Sequence, residues 1–493
     1  FDADGDGAQD LYVVSGGAEA SLDSPAMRDR LYQNDGTGNF IPTEGALPDL
    51  AQSGGPVTAA DYDRDGDLDL FIGGRVIPWQ YPLSPSSYLL RNDGGRFSVS
   101  PAFTPHEKAG LVTSALWSDA DNDGWVDLIL VSEWGALTCY RNVNGQSFEP
   151  ITGGEAPANS GWWNSVVAGD LDHDGDIDYI AGNAGLNTKY HASHDYPALI
   201  HYGDVEGTGQ ARIIEARYEE GTLFPERGRS CSTAAIPSLA RNFPNYHTFA
   251  SATLTEIYSG ALNQARRFAA TNLEHSVFLN KGDGTFEIQS LPRLAQNAPI
   301  FGLALQDFDA DGHLDLIAAQ NSFSPQPETG RYDGGIGLVL KGTGDGTFQA
   351  LLPPQSGFLL PGDGKALVLT GRNAVGEPGI LVTRNQDTGR AFHLEPLPDD
   401  RRRVTLELAG RTGNAEAVGA RITISFTDGS TQEAEIHSGA GYLSQSARRL
   451  NIGLANERSI HRIGIRWPDG SESVIEKGLD QAHLVLKQPD PSS

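Results

Sequence analysis

Cysteine and methionine are nearly missing from this chain of 493 residues: two cysteines, Cys139 and Cys231, and a single methionine. One possible pair cannot build a disulfide framework, so a buried core has to hold the fold. No uncharged apolar run reaches about 18 residues, which excludes a transmembrane helix in this sequence. Basic residues are also scarce, with 36 Lys and Arg against 64 Asp and Glu, net −28. The last 93 residues (401–493) hold 12 basic and 11 acidic side chains, so the whole acidic excess lies before them. That excess argues against nucleic acid as a partner and calls for cations. There is no Gly-x-Ser-x-Gly elbow and no P-loop. The sequence opens at Phe1, directly before an acidic loop, and any signal or lipid anchor is expected further upstream.

Apolar residues make up 39% and glycines number 59, with short apolar runs between turn residues, which favours an all-β protein. A unit Asp-x-Asp-x-Asp-Gly-x-x-Asp recurs, starting at 2, 61, 119, 170 and 307, and each copy leads into an apolar strand such as LYVV, LFIGG or LILVS. Trailing runs (LYQNDGTGNF, LLRNDGGRF, CYRNVNGQSF, FLNKGDGTF, LVLKGTGDGTF) read as hairpins closed by Asn-Asp-Gly and similar turns. Each unit is therefore a four-stranded blade. Relics at Asp204-Val-Glu206-Gly-Thr208, with Arg212 at position nine, and at Gly362-Asp363-Gly364 raise the count to seven, which predicts a seven-bladed β-propeller with calcium loops. A helical stretch at about 219–275 is placed between the second and third strands of the damaged fifth blade.

The acidic units suit calcium, which takes six to eight hard oxygens. Candidate ligands are Asp2, Asp4, Asp6, Ala8 and Asp10; Asp61, Asp63, Asp65, Asp67 and Asp69; Asp119, Asp121, Asp123, Trp125 and Asp127; Asp170, Asp172, Asp174, Asp176 and Asp178; and Asp307, Asp309, Asp311, His313 and Asp315. Position six is always Gly, where the loop turns sharply. Position seven varies (Ala8, Asp67, Trp125, Asp176, His313), as a main-chain carbonyl ligand allows. Without a cation, four clustered carboxylates would oppose folding. About five Ca²⁺ ions are expected, and none at Asp204 or Asp363.

These loops and hairpins resemble FG-GAP/VCBS repeats, as in the integrin α-subunit propeller. GRTGNAEAVGARITI, GAGYLSQSARRLNIGLA and IRWPDGS resemble the ASPIC/UnbV domain of cartilage acidic proteins and bacterial surface proteins. The resemblance implies a secreted or surface-exposed calcium-binding protein without established catalytic activity, in bacteria often lipid-anchored at the outer membrane beside uptake machinery. The expected domains are a propeller at 1–398, a β-sandwich at 399–488 built from runs such as VTLEL, RITISF and IGIRW, and a tail at 489–493.

Metal loops joining first and second strands share one face, so the long loops joining second and third strands share the other. That second face should gather Trp79, Tyr81, Trp134, Asn187, Lys189, Tyr190, Arg331 and Tyr332, with Trp162 and Trp163 either joining it or wedging between blades. Aromatics with interspersed polar groups suit a protein or glycan partner, as in a binding or adhesion module. A polysaccharide-directed enzyme is the alternative. His191 and His194 have loose metal spacing without a third ligand.

Overall fold

The computed structural model describes residues 1–104, 109–326, 329–372, 378–455 and 457–490. It is all-β, with helices confined to short segments. Among the described residues, six antiparallel sheets follow one another along the chain before the C-terminal region, apart from one inserted sheet. The second runs Gly54–Ala60, Asp69–Gly74, Tyr88–Asp93, Arg96–Val99, and the third Leu111–Ser118, Asp127–Gly135, Thr138–Val143, Ser147–Pro150. The fourth is Ser165–Gly169, Asp178–Gly182, Ser276–Asn280, Phe286–Ser290, and the fifth Ile300–Gln306, Asp315–Gln320, Leu338–Gly342, Phe348–Leu351. The first (Leu11–Val13, Arg30–Asn34, Phe40–Pro42) and the sixth (Gly364–Arg372, Pro378–Arg384, Asp387–His393) have three strands. First strands of the second to sixth sheets pack side by side in order, as inner strands of blades do.

In the second to fifth blades the acidic loop joins the inner strand to the next strand, which its position-nine Asp opens, and the first acidic loop leads into Leu11–Val13. The strands that follow are apolar on both faces because both faces are covered. Leu70, Phe71 and Ile72 are buried, as are Leu128, Ile129 and Leu130. Phe71 and Leu89 of one blade pack with Trp117, Leu128 and Phe148 of the next. Cys139 is buried in the third blade, and no disulfide joins it to Cys231.

The blade count differs from the expected seven. The segment around Asp204 does not enter the series. It forms a separate sheet, Ala198–Gly203, Arg212–Glu219, Thr222–Pro225 and Arg266–Ala270, inserted between the second and third strands of the fourth blade. Tyr179 pairs with Phe278 across that insertion, and the fourth blade's inner strand packs directly on the fifth's. The helical stretch, Arg229–Ala235 to Leu254–Tyr258, lies on the inserted sheet, where Ile236, Leu239, Phe249, Leu254 and Ile257 share a core with Leu199 and Ile214. Its apolar face is thus covered within the insert and not left for a partner. Asp363 does not begin a metal loop. It precedes the sixth inner strand, at the opposite end from the acidic loops, and is paired with Lys365 at 2.6 Å.

The C-terminal region is a sandwich. One sheet is Leu450–Ala455, Arg401–Ala409 and His483–Lys487, the other Thr431–Glu435, Arg421–Phe426, Ile460–Arg466 and Glu472–Ile475. Val404, Leu406, Ile422, Ile424, Ile452 and Trp467 fill its core. It docks on the acidic-loop face. Arg421 donates to the carbonyls of Asp119 and Gly175 at 3.2 and 2.6 Å, Arg403 to that of Phe308 at 3.0 Å, and Arg466 pairs with the Asp119 carboxylate.

From the sandwich a finger, residues 437–449, passes among the inner strands. The His437 Nδ1–H donates to Trp117 O (2.8 Å), Ala59 N–H to Ser438 O (3.2 Å), Gly441 N–H to Val166 O (2.8 Å), Ser114 Oγ–H to Gly441 O (2.6 Å) and Ala447 N–H to Leu369 O (2.9 Å). These partners belong to the second, third, fourth and sixth blades. Tyr442 meets Phe301 of the fifth edge-on at 5.0 Å.

Candidate metal loops and an aromatic cleft

The five intact loops repeat one conformation. Position four is left-handed in all of them, whether Gly5 (φ 75°), Arg64 (62°), Asn122 (60°), His173 (62°) or Ala310 (58°), and so is the Gly at position six (φ 89–101°). A non-Gly residue held there is strained, so the surrounding contacts must fix the loop. Those contacts also repeat. Asp6, Asp65, Asp123, Asp174 and Asp311 each accept the position-seven N–H, at 2.7–3.1 Å. Position-seven side chains turn to neighbouring loops: Trp125 lies under Arg64, Asp176 accepts from Asn122, and His313 meets His173.

The position-nine Asp has a role that sequence reasoning missed. Asp69 takes the N–H of Tyr62 on one oxygen and of Asn92 on the other; Asp127, Asp178 and Asp315 repeat the pattern with Ala120 and Asn142, Leu171 and Asn280, Phe308 and Gly342. It thus ties its loop to the third strand of its blade. The Asn of that strand then bridges blades. Asn92 donates to Ala3 O and Leu68 O, Asn142 to Tyr62 O and Val126 O, Asn280 to Ala120 O and Ile177 O, all at 2.8–3.2 Å. The Asn that recurs before four of the five hairpin turns (Asn34, Asn92, Asn142 and Asn280) was the available signal.

Within each loop, three carboxylates offer oxygens within 4.8 Å of one another: Asp2, Asp4 and Asp6; Asp61, Asp63 and Asp69; Asp119, Asp121 and Asp127; Asp170, Asp172 and Asp178; Asp307, Asp309 and Asp311. Burial is the main cause that pushes first-position carboxyls up, Asp61 to about 7 and Asp119, Asp170 and Asp307 to about 6. It pushes Asp69 to about 9 and Asp178 to about 8. Asp63 Oδ1 and Asp170 Oδ1 are buried without a donor. Buried, crowded, unsatisfied carboxylate oxygens fit a hard divalent cation such as Ca²⁺.

The loop at Asp204 retains the shape, with Gly207 and Gly209 left-handed and Asp204 accepting from Glu206, Thr208 and Gly209. Arg212 stands at position nine, 3.7 Å from Glu206, and supplies the positive charge itself.

On the opposite face a cleft of about 490 Å³ is lined by Tyr81, Trp134, Trp162, Tyr190 and Tyr332, joined by Glu133, Glu215 and Arg227. Gly161–Trp162 pairs with the outer end of Asp127–Gly135, which brings Trp134 and Trp162 to an edge-on contact of 5.1 Å; Tyr190 continues the row at 4.8 Å. Glu133 is held by Arg75 and the Tyr81 hydroxyl, each at 2.6 Å. Glu215 is held by Arg227 and by the Tyr190 hydroxyl at 3.1 Å.

Five of the ten expected partner residues lie elsewhere. Trp163 is fully buried against Phe278, wedged as core. Asn187 pins its loop to Asn297 O, Lys189 pairs with Glu226 and Arg331 covers Phe323. Trp79 is 70% exposed but does not line the cleft. His191 and His194 are exposed and belong to no metal-ligand group among the described residues.

The acidic loops on five successive sheets define a repeat protein whose repeated geometry sits at one end of each of those sheets. Residues 2–72 and 119–181 match the family model of the FG-GAP-like repeat, and residues 410–493 match that of ASPIC and UnbV. The chain thus carries FG-GAP-like repeats and a C-terminal ASPIC/UnbV domain. No curated protein matches it significantly. Among solved structures it is similar to the V. cholerae biofilm matrix protein Bap1 (11% identity, TM-score 0.29, 87% of this chain and 60% of that one). It is also similar to the exotype rhamnogalacturonan lyase YesX (11%, 0.30, 93% and 81%) and to an exo-beta-1,3-galactanase from Clostridium thermocellum (8%, 0.28, 90% and 82%). The chain spans about 60% of the length of Bap1. At such scores these likenesses assign nothing to it.

Proposed function

We propose that this is an extracytoplasmic, calcium-loaded β-propeller that acts as a binding module of a cell-surface assembly and not as an enzyme. The observation that carries the binding reading is the aromatic cleft, which lies on the face left open by the C-terminal domain. Its two carboxylates each hold an Arg and a Tyr hydroxyl, so neither stands ready as a general acid or nucleophile. The calcium reading is supported by five loops of one conformation with crowded, buried carboxylates.

Five ions per chain are expected by atomic emission after equilibrium dialysis against saturating calcium, with the free ion of the dialysate subtracted; two or fewer would remove the calcium reading. For the cleft, immobilised glycans and peptides are screened with the intact chain and with Trp134→Ala and Trp162→Ala. Capture that both variants retain in full would place the ligand elsewhere.

A further inference from the structure

Resting on the reading of the cleft as the ligand site, we propose that its ligand is an oligosaccharide of neutral sugars. The charges there cancel. Glu133 is matched by Arg75 and Glu215 by Arg227, while Lys189 just outside is engaged by Glu226. A uronate or sulfate group would need to break one of these pairs to find a cation, and it would approach a chain of net charge −28. A cationic ligand meets carboxylates already neutralised by guanidinium groups. The lining instead offers ring surfaces from Trp134, Trp162 and Tyr190 and polar atoms that suit hydroxyls. The Glu133 and Glu215 carboxylates and the Tyr332 hydroxyl are among them.

Sugar rings supply what this lining lacks. Their C–H faces cover aromatic rings, and their hydroxyls both donate and accept. The carboxylates, fixed by Arg and Tyr, retain lone pairs for such hydroxyls.

The test is affinity electrophoresis of the calcium-loaded chain in gels containing mannan, galactan, arabinan, mixed-linkage β-glucan or polygalacturonate, alongside an immobilised peptide library. Retardation by at least one neutral polysaccharide is expected, with none by polygalacturonate. Trp162→Ala should weaken it about tenfold or more at unchanged calcium content and melting temperature. Trp134→Phe, which retains the ring, should weaken it less than Trp134→Ala. Retardation by polygalacturonate alone, or capture of peptides alone, with sensitivity to Trp162→Ala, would overturn the neutral-sugar assignment and leave the cleft as the site. Retardation that neither tryptophan variant changes would overturn the cleft itself. No retardation by any neutral polysaccharide would also overturn the assignment.

Discussion

Asn142 uses one amide group to reach two carbonyls, Tyr62 O of the preceding blade and Val126 O of its own loop, at 2.9 and 3.1 Å. Asn142→Ala leaves both buried acceptors unmet and should cost roughly 1–3 kcal/mol in denaturant unfolding, whereas Gln146→Ala in the adjacent turn, at an exposed position, should cost far less. His275 makes a second residue-scale case. Fully buried, it accepts from Asn183 N–H on Nδ1 (2.8 Å) and donates from Nε2 to Ala298 O (3.0 Å), so the ring is neutral. Burial pushes its pKa down to about 4. The unfolded ring, with a pKa of about 6.5, takes up protons first, so this stability is complete above that pH and is lost as pH falls toward 4. Between pH 7.5 and 5, at saturating calcium, the loss should be about 2 kcal/mol. His275→Gln should flatten that slope; an equal slope in the variant would refute the assignment. His275 does not stand out in the sequence, because a buried His looks like a surface polar residue until tertiary pairing places it, whereas Asn142 belongs to a series that recurs before the hairpin turns.

The acidic loop is the element the sequence made most legible. Its carboxylates, its left-handed Gly and its turn lie within nine consecutive residues, so no distant contact is needed to recognise it. Blade membership is different. Whether the Asp204 unit joins the series is decided by Tyr179 pairing with Phe278 across about a hundred residues, which local pattern cannot reveal. The same shape outside the series makes a direct test possible. Thr208→Asp with Arg212→Asp restores carboxylates at positions five and nine of a loop already correctly bent, and should add one calcium per chain by atomic emission. Chelation bears on all the intact loops together. With a Kd of about 10⁻⁴–10⁻³ M, about 1 mM calcium contributes roughly 0.4–1.4 kcal/mol per site. Five independent sites then supply about 2–7 kcal/mol, and excess EDTA should lower the melting temperature clearly. An unchanged melt would mean that the loops hold no stabilising ion.

At the scale of the whole molecule, charge asymmetry was readable before any contact was known. The nearly neutral C-terminal region brings Arg401, Arg403, Arg421 and Arg466 onto a face of acidic loops. Its sandwich strands were legible from alternation, but its position was not, because the finger's Gly-Ala-Gly-Tyr run reads as an ordinary loop. Truncation after residue 398 uncovers that face and empties the space among the inner strands. Such a chain should melt at least several degrees lower and bind a hydrophobic dye; a melt equal to that of the intact chain would mean that the domains are independent.

The finger also imposes a schedule. It lies in the last fifth of the chain, so a ribosome releases every blade before the residues that must lie between them. The inner strands therefore acquire these contacts only after all the blades have been synthesised.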